Sequence, residues 1–244
     1  MKRLLLSNLN GFLTRFLGIT IHREKDHREN NWSSLLKKSQ ADQNQDINDY
    51  IEKGMDNFAQ KFVDGLIKMD TIKLENTKIL EVGAGAGRFS RYIVKYLGDE
   101  GTLVVLEKDE VAYGLLKKAV KENNNVVLQN GDFFDDRYSD DEFDIILFPW
   151  FVHPDRLQKH NLIFERVSRI CRKGGLFAFD FFDSSENLEE KLSPRYEPYP
   201  LINGTDLERI ASTHEFHLID HFDVHWKSRV SKIHLYQKEI QLNA

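Results

Sequence analysis

The chain has 244 residues, 41% of them hydrophobic, and a formal net charge of -5, enough to bury one substantial core in a single domain with an appendage. The acidic balance, with a sequence pI near 6.0, argues against nucleic acid as a partner, because holding a phosphate backbone needs clustered Lys and Arg to release counterions. Cys171 is the single cysteine, which excludes an intrachain disulfide, a paired-cysteine redox centre and a multi-cysteine zinc site, and fits a reducing cytoplasm. No stretch approaches the roughly 18 apolar residues of a membrane-spanning helix, and "MKRLLLSNLN" turns polar too early for a signal peptide. The expectation is a cytoplasmic chain.

In chain order, residues 1–23 carry Lys2, Arg3, Arg15 and Arg23 with no acid, while Leu5, Leu9, Phe12, Phe16 and Ile19 recur at helical spacing. Such a basic amphipathic segment suits packing on the body of the same protein, or peripheral contact with an anionic membrane. Residues 24–46, rich in Asn, Gln and Asp, read as a linker. The chain therefore divides into an N-terminal segment, 1–46, and a main domain, 47–244. From Ile47, Tyr50, Ile51, Met55, Phe58, Phe62, Val63, Leu66 and Ile67 follow a 3.6 period and predict a helix.

Apolar runs at Lys78–Val82, Thr102–Leu106, Val126–Leu128, Phe143–Phe148 and Leu176–Phe181 then read as buried strands, the first four each followed by a helical stretch or turn. Asp109 and Asp155 stand where they would cap two of the helices. The alternation predicts an α/β fold, a doubly wound, mostly parallel sheet with helices on both faces. "FHLIDHFDVHW" and "SKIHLYQKEI" predict a closing antiparallel hairpin. Leu218, Phe222, Val224 and Trp226 are expected to share one face of its first strand. His217, His221 and His225 would then lie roughly 13 Å apart in succession along that strand, too far to share one zinc; no metal site is expected.

The first strand runs into "ILEVGAGAGRFS". Glycines at the strand-to-helix turn let a ligand approach the backbone, and open amides there attract an anion. The loop reads G-A-G-A-G rather than the G-x-G-x-x-G of a pyrophosphate site. Glu107 ends the second strand, 20 positions after Gly87, where a carboxylate can accept from both hydroxyls of a ribose. Asp132, after the third strand, can accept from an exocyclic amine. Asp135, Asp136, Asp140, Asp141 and Glu142 read as a solvated acidic loop.

These residues, "E-V-G-A-G-A-G", then Glu107, then "GD", resemble the class I methyltransferases that use S-adenosylmethionine. "FDIILFPWFVHPDRLQKHNLIFERVSRICRKGGLFAF" is similar to the family's fourth strand, following helix and fifth strand, with Lys173–Gly175 in the intervening turn. The resemblance implies seven strands ending in an antiparallel hairpin, and S-adenosyl-L-methionine as cofactor. It implies that Glu81 and the loop of Gly83, Ala84, Gly85 and Gly87 hold the methionine moiety. Glu107 would take the ribose, Asp132 the adenine amine, and Phe133 the ring, with Lys108 and Phe148 as further cofactor-binding positions.

Methyl transfer from an activated sulfonium chiefly demands alignment. For a hydroxyl acceptor a histidine base would help, and His153, after the fourth strand, is the candidate. Trp150 and Phe151 flank it as pocket walls, and Arg195, Tyr196 and Tyr199 in "SPRYEPYPLING" suit an anionic or sugar-like acceptor. The expected activity is methylation of an oxygen or nitrogen of a small molecule, with a sugar- or lipid-linked acceptor suggested by the basic N terminus. The competing readings are a non-catalytic cofactor-binding scaffold or sensor, and a nicotinamide-dependent oxidoreductase, against which the loop spacing and hairpin count.

Overall fold

The computed structural model describes residues 58–149, 159–183, 202–226 and 229–240. The N-terminal segment, Trp150, Phe151, His153, Asp155, Arg195, Tyr196 and Tyr199 lie outside the described residues.

Seven strands form one sheet in the order β3-β2-β1-β4-β5-β7-β6. They are β1 Lys78–Val82, β2 Thr102–Glu107, β3 Val126–Asn130, β4 Phe143–Phe148, β5 Cys171–Phe181, β6 Phe216–Trp226 and β7 Arg229–Lys238. The first five pair in parallel, and β7 pairs antiparallel with both β5 and β6. The hairpin thus reaches the sheet through its second strand, leaving β6 at the edge. This is the doubly wound, mostly parallel sheet that the apolar runs predict.

Helices cover both faces. Packed on one are α1 (Phe58–Lys68), the short α2 (Ser90–Ile93) and α3 (Glu110–Ala119); on the other are α4 (His160–Ile170) and α5 (Gly204–Thr213). Period-two alternation divides the strand side chains between two cores. Ile79, Leu103, Val105, Ile145, Leu147 and Ala178 meet α1, α2 and α3, and Leu80, Val104, Ile146, Phe177 and Phe179 meet α4 and α5. The second core is largely aromatic. Phe164 of α4 lies edge-on to Phe177, Phe179 and Tyr236 at centroid distances of 5.3, 5.8 and 5.9 Å, which places positive ring edges against negative ring faces.

Two departures from simple alternation have local causes. In β6, Leu218 pairs with Tyr236 and Asp220 with Leu235, so Ile219 is an extra residue on one strand. A bulge reverses the facing of everything beyond it. Leu218 therefore packs with the α4/α5 core, while Phe222 and Val224 pack with the α1 core; the expectation that they share a face fails. Strand β5 also begins earlier than its apolar run. Phe143 pairs with Cys171 and Ile145 with Leu176, two steps on β4 against five on β5. Lys173–Gly175, expected as a turn, lies inside this irregular stretch, with Gly174 at φ +73°.

Candidate functional site

In a doubly wound sheet the ligand crevice opens beyond the carboxyl ends of the strands, at the point where strand order reverses. Here β1 lies between β2 and β4, and the glycine loop leaves the end of β1. Gly83, Gly85 and Gly87 have φ of +71°, +59° and +81°, a backbone region that costs a side-chain-bearing residue roughly 1–2 kcal/mol. Gly87 has a second constraint. A Cβ there would stand 2.8 Å from Leu116 Cδ1 and 3.3 Å from Ala119 Cβ on α3, so the missing side chain lets the loop sit down on that helix.

Hydrogen bonds fasten the loop to the end of β2. The Gly83 and Ala84 amides donate to the Leu106 carbonyl at 2.8 and 3.2 Å, and the Gly87 amide donates to Ala84 O at 3.0 Å. The Gly85 amide donates to Glu107 Oε2 at 2.7 Å. The sequence reading leaves the loop amides open to an anion. In the fold, these four are bonded within the protein, and the loop offers close approach more than free donors.

Glu107 is buried, and its other oxygen, Oε1, accepts from the Asp109 amide at 2.8 Å. A carboxylate has about four acceptor positions, so two backbone amides fix its plane and leave acceptor capacity for a pair of hydroxyls. The Asp109 side chain meanwhile caps α3, accepting from the Val111 and Ala112 amides at 2.9 Å each, as its sequence position predicts. The start of the next loop is held in the same way: the Gly131 amide and Asn130 Nδ2 both donate to the Glu107 carbonyl, at 3.1 and 2.9 Å. That brings Asp132, half-buried, beside the same strand end, with Oδ1 accepting from the Phe134 amide at 3.0 Å. Lys108 is exposed next to Glu107.

Glu81, the penultimate residue of β1, is fully buried. Ser90 Oγ donates to its Oε2 at 2.6 Å, while Oε1 has no hydrogen-bond partner. Burial pushes this carboxyl up to about 8; the Ser90 hydrogen bond pulls it down and the negative charge of Glu107 pushes it further up. An orphaned buried acceptor is costly unless something supplies a donor. Such an atom beside a glycine loop fits the cationic amino group of an amino-acid nucleoside. Ser90 is a residue the sequence reading missed, and its only signal is its place at the first position of the helix that follows the loop.

Phe133 and Phe148 are both buried, with ring centroids 5.3 Å apart and nearly perpendicular. The Arg166 guanidinium lies 5.5 Å from the Phe133 centroid. Phe148 also meets Phe177 in the α4/α5 core, so both rings form the floor under the strand ends. Phe134, the residue after Phe133, is exposed, with the Lys159 ammonium 5.2 Å from its centroid. In the acidic run that follows, the four aspartates are exposed and Glu142 is half-buried, and the run is paired. Asp135 bonds Arg137, Asp136 bonds Arg169, Asp141 bonds Lys238 and Glu142 bonds Lys78.

Away from this region, a groove of about 820 Å³ runs between α1 and β6, lined by residues such as Lys61, Asp64, Lys68, Asp220 and His225. It lacks the glycine loop and the strand-end acids, and the chemistry points to the β1/β2 ends.

The segment that builds this site, residues 79–175, matches the family model described as a methyltransferase domain. A S-adenosylmethionine-dependent methyltransferase from Aquifex aeolicus superposes with TM-score 0.60 at 15% identity, over 85% of this chain and 99% of that one. The magnesium protoporphyrin IX methyltransferase from Synechocystis, with bound S-adenosylhomocysteine, gives 0.62 at 12% identity, over 78% and 88%. A protein from Pyrococcus horikoshii gives 0.59 at 21% identity, over 74% and 89%. At such identities these structures speak for the fold. No curated protein sequence matches the chain. By the family match over residues 79–175 and the site they build, the chain carries a methyltransferase domain with the class I fold. It is an enzyme that uses S-adenosylmethionine as its methyl donor.

Proposed function

We propose that this enzyme methylates an oxygen or nitrogen of a small-molecule acceptor. When bound, the cofactor supplies an activated methyl group. Glu107 would hold its ribose, Asp132 its adenine amine, and Glu81 with the glycine loop its methionine end, which fixes the direction in which the methyl group points. The observation that carries the cofactor assignment is the Glu107 carboxylate, pinned by two backbone amides at the end of β2. A small acceptor is supported by the cations near the site. Arg137 and Arg169 are engaged by the protein's own acids, which leaves them poorly disposed to track a nucleic-acid backbone.

His153 is the proposed base for a hydroxyl acceptor, Trp150 and Phe151 the proposed pocket walls, and Arg195, Tyr196 and Tyr199 the proposed contacts to an anionic or sugar-like group. The basic, amphipathic pattern of residues 1–23 supports contact with an anionic membrane and hence a lipid-linked acceptor at its surface. Deleting residues 1–23 is expected to weaken binding to anionic liposomes; unchanged binding would remove the membrane from the proposal. The primary test is calorimetry with S-adenosylmethionine and NAD, followed by transfer of labelled methyl from the cofactor to panels of alcohols, amines and sugars. Micromolar binding of the methyl donor alone, with label appearing on a small acceptor, is the expected result. Label on RNA or protein only would overturn the acceptor class.

A further inference from the structure

Among the described residues, Glu81 is the buried carboxylate of the site that keeps one oxygen without a donor, its hydrogen bonding coming from Ser90 alone. Of its two oxygens, Oε2 accepts from Ser90 and Oε1 accepts from nothing among the described residues. Among the described residues, no cation acts on it as a close counterion. Glu107 on β2 is a like charge that disfavours ionisation. Asp180 projects from the same face of β5 by strand alternation, and Arg88 and Arg91, which flank Ser90 in sequence, lie partly exposed. None of these groups donates a hydrogen bond to Oε1.

We propose that Glu81 is a neutral carboxylic acid in the cofactor-free protein and releases its proton to solvent when S-adenosylmethionine binds, the α-ammonium of the cofactor then serving Oε1. The inference rests on the cofactor reading given above and adds a proton to its binding equilibrium. The balance is simple: neutral Glu81 and the singly positive cofactor give a Glu81 carboxylate, the same cofactor, and one proton in the buffer. An isolated buried carboxylate is unfavourable, and one facing an ammonium is not, because the opposite charge replaces the lost hydration. A carboxyl pushed up to about 8 is almost wholly protonated at pH 6.5, where a free α-ammonium, titrating near 7.7–8.0, still keeps its own proton. Ser90 is a positioning residue, holding Oε2 so that Oε1 faces the ligand.

The test is calorimetry of the full chain with S-adenosylmethionine at pH 6.5 in three buffers of different ionisation enthalpy. The wild type is expected to release close to one proton, with affinity rising nearly tenfold per pH unit between pH 6 and 7. Glu81→Gln, which mimics the neutral acid in shape, should bind more weakly, release none and show a flat pH profile. 5′-Methylthioadenosine, which lacks the amino acid, should bind both proteins without proton release. Ser90→Ala, by removing the donor that favours ionisation, should shift the wild-type affinity curve to higher pH, and an unmoved curve would remove Ser90 from the proposal. Wild-type binding with no net proton release, or equal release by Glu81→Gln, would overturn the inference while leaving the cofactor site intact. Failure of the wild type to bind the cofactor in any buffer would instead overturn the site reading itself, and this inference with it.

Discussion

Glu81 and Glu107 end adjacent parallel strands, and both are buried, yet the protein treats them differently. Glu107 receives a backbone amide on each oxygen, from Gly85 and Asp109. Glu81 is served by Ser90 alone, whose hydroxyl donates to Oε2, and its Oε1 has no donor among the described residues. Burial alone therefore does not specify a carboxylate's role; the number of donors aimed at it does. Glu107 is held with its plane fixed to accept from neutral hydroxyls, whereas Glu81 is left short of a donor that a cationic ligand can provide.

The sharpest way to break this contrast is Glu107→Ala. It removes two hydrogen bonds to a charged group and orphans the amides of Gly85 and Asp109, and S-adenosylmethionine affinity should fall by about 100-fold or more in calorimetry. Next comes the backbone that serves Glu107. Gly85→Ala forces a Cβ onto φ +59°, so we expect a loss of roughly 1–2 kcal/mol and a melting temperature lower by up to about 8 °C, along with weaker cofactor binding.

Glu81→Gln should act in the opposite direction on stability. The folded protein holds the Glu81 proton up to about pH 8, while the unfolded chain loses it near the ordinary value of 4.5. Wild-type stability therefore falls as pH rises through that window. Glutamine does not titrate, so cofactor-free Glu81→Gln should melt higher than wild type by roughly 5 °C at pH 8, with the advantage fading at pH 5 and below. The smallest effect belongs to Asp109→Ala. Its backbone amide still serves Glu107, but α3 loses its cap. We expect a cost of about 1 kcal/mol, some 2–4 °C of melting temperature, with cofactor affinity held within about twofold. A large affinity loss would show that the Asp109 side chain, and not only its amide, shapes the site.

Much of this was legible in one dimension. Lys78–Val82 and Phe143–Phe148 match the observed strands, because a strand buried on both faces has to be apolar throughout. Asp109 was readable as a cap because capping is local. Leu218 and Phe222 were misassigned to one face because nothing in the local composition marks Ile219 as the extra residue; the pairing of β6 with β7 reveals it. The acidic run 135–142 was readable as exposed, but its partners Arg169, Lys238 and Lys78 are distant in sequence. Ser90 stands only nine residues from Glu81, but its hydroxyl meets the carboxylate only once the glycine loop has folded back on β1, and the orphaned oxygen shows only there too.

The sequence by itself determined the order and type of the elements, the glycine turn, and the acid that closes β2, all of which depend on the identity and spacing of nearby residues. Tertiary structure alone decided which oxygen of which carboxylate has a donor, which side of β6 each residue presents, and which loop amides are already bonded. These depend on distances between atoms far apart in the chain, and hydrogen bonding and desolvation act over those distances rather than over positions in the sequence.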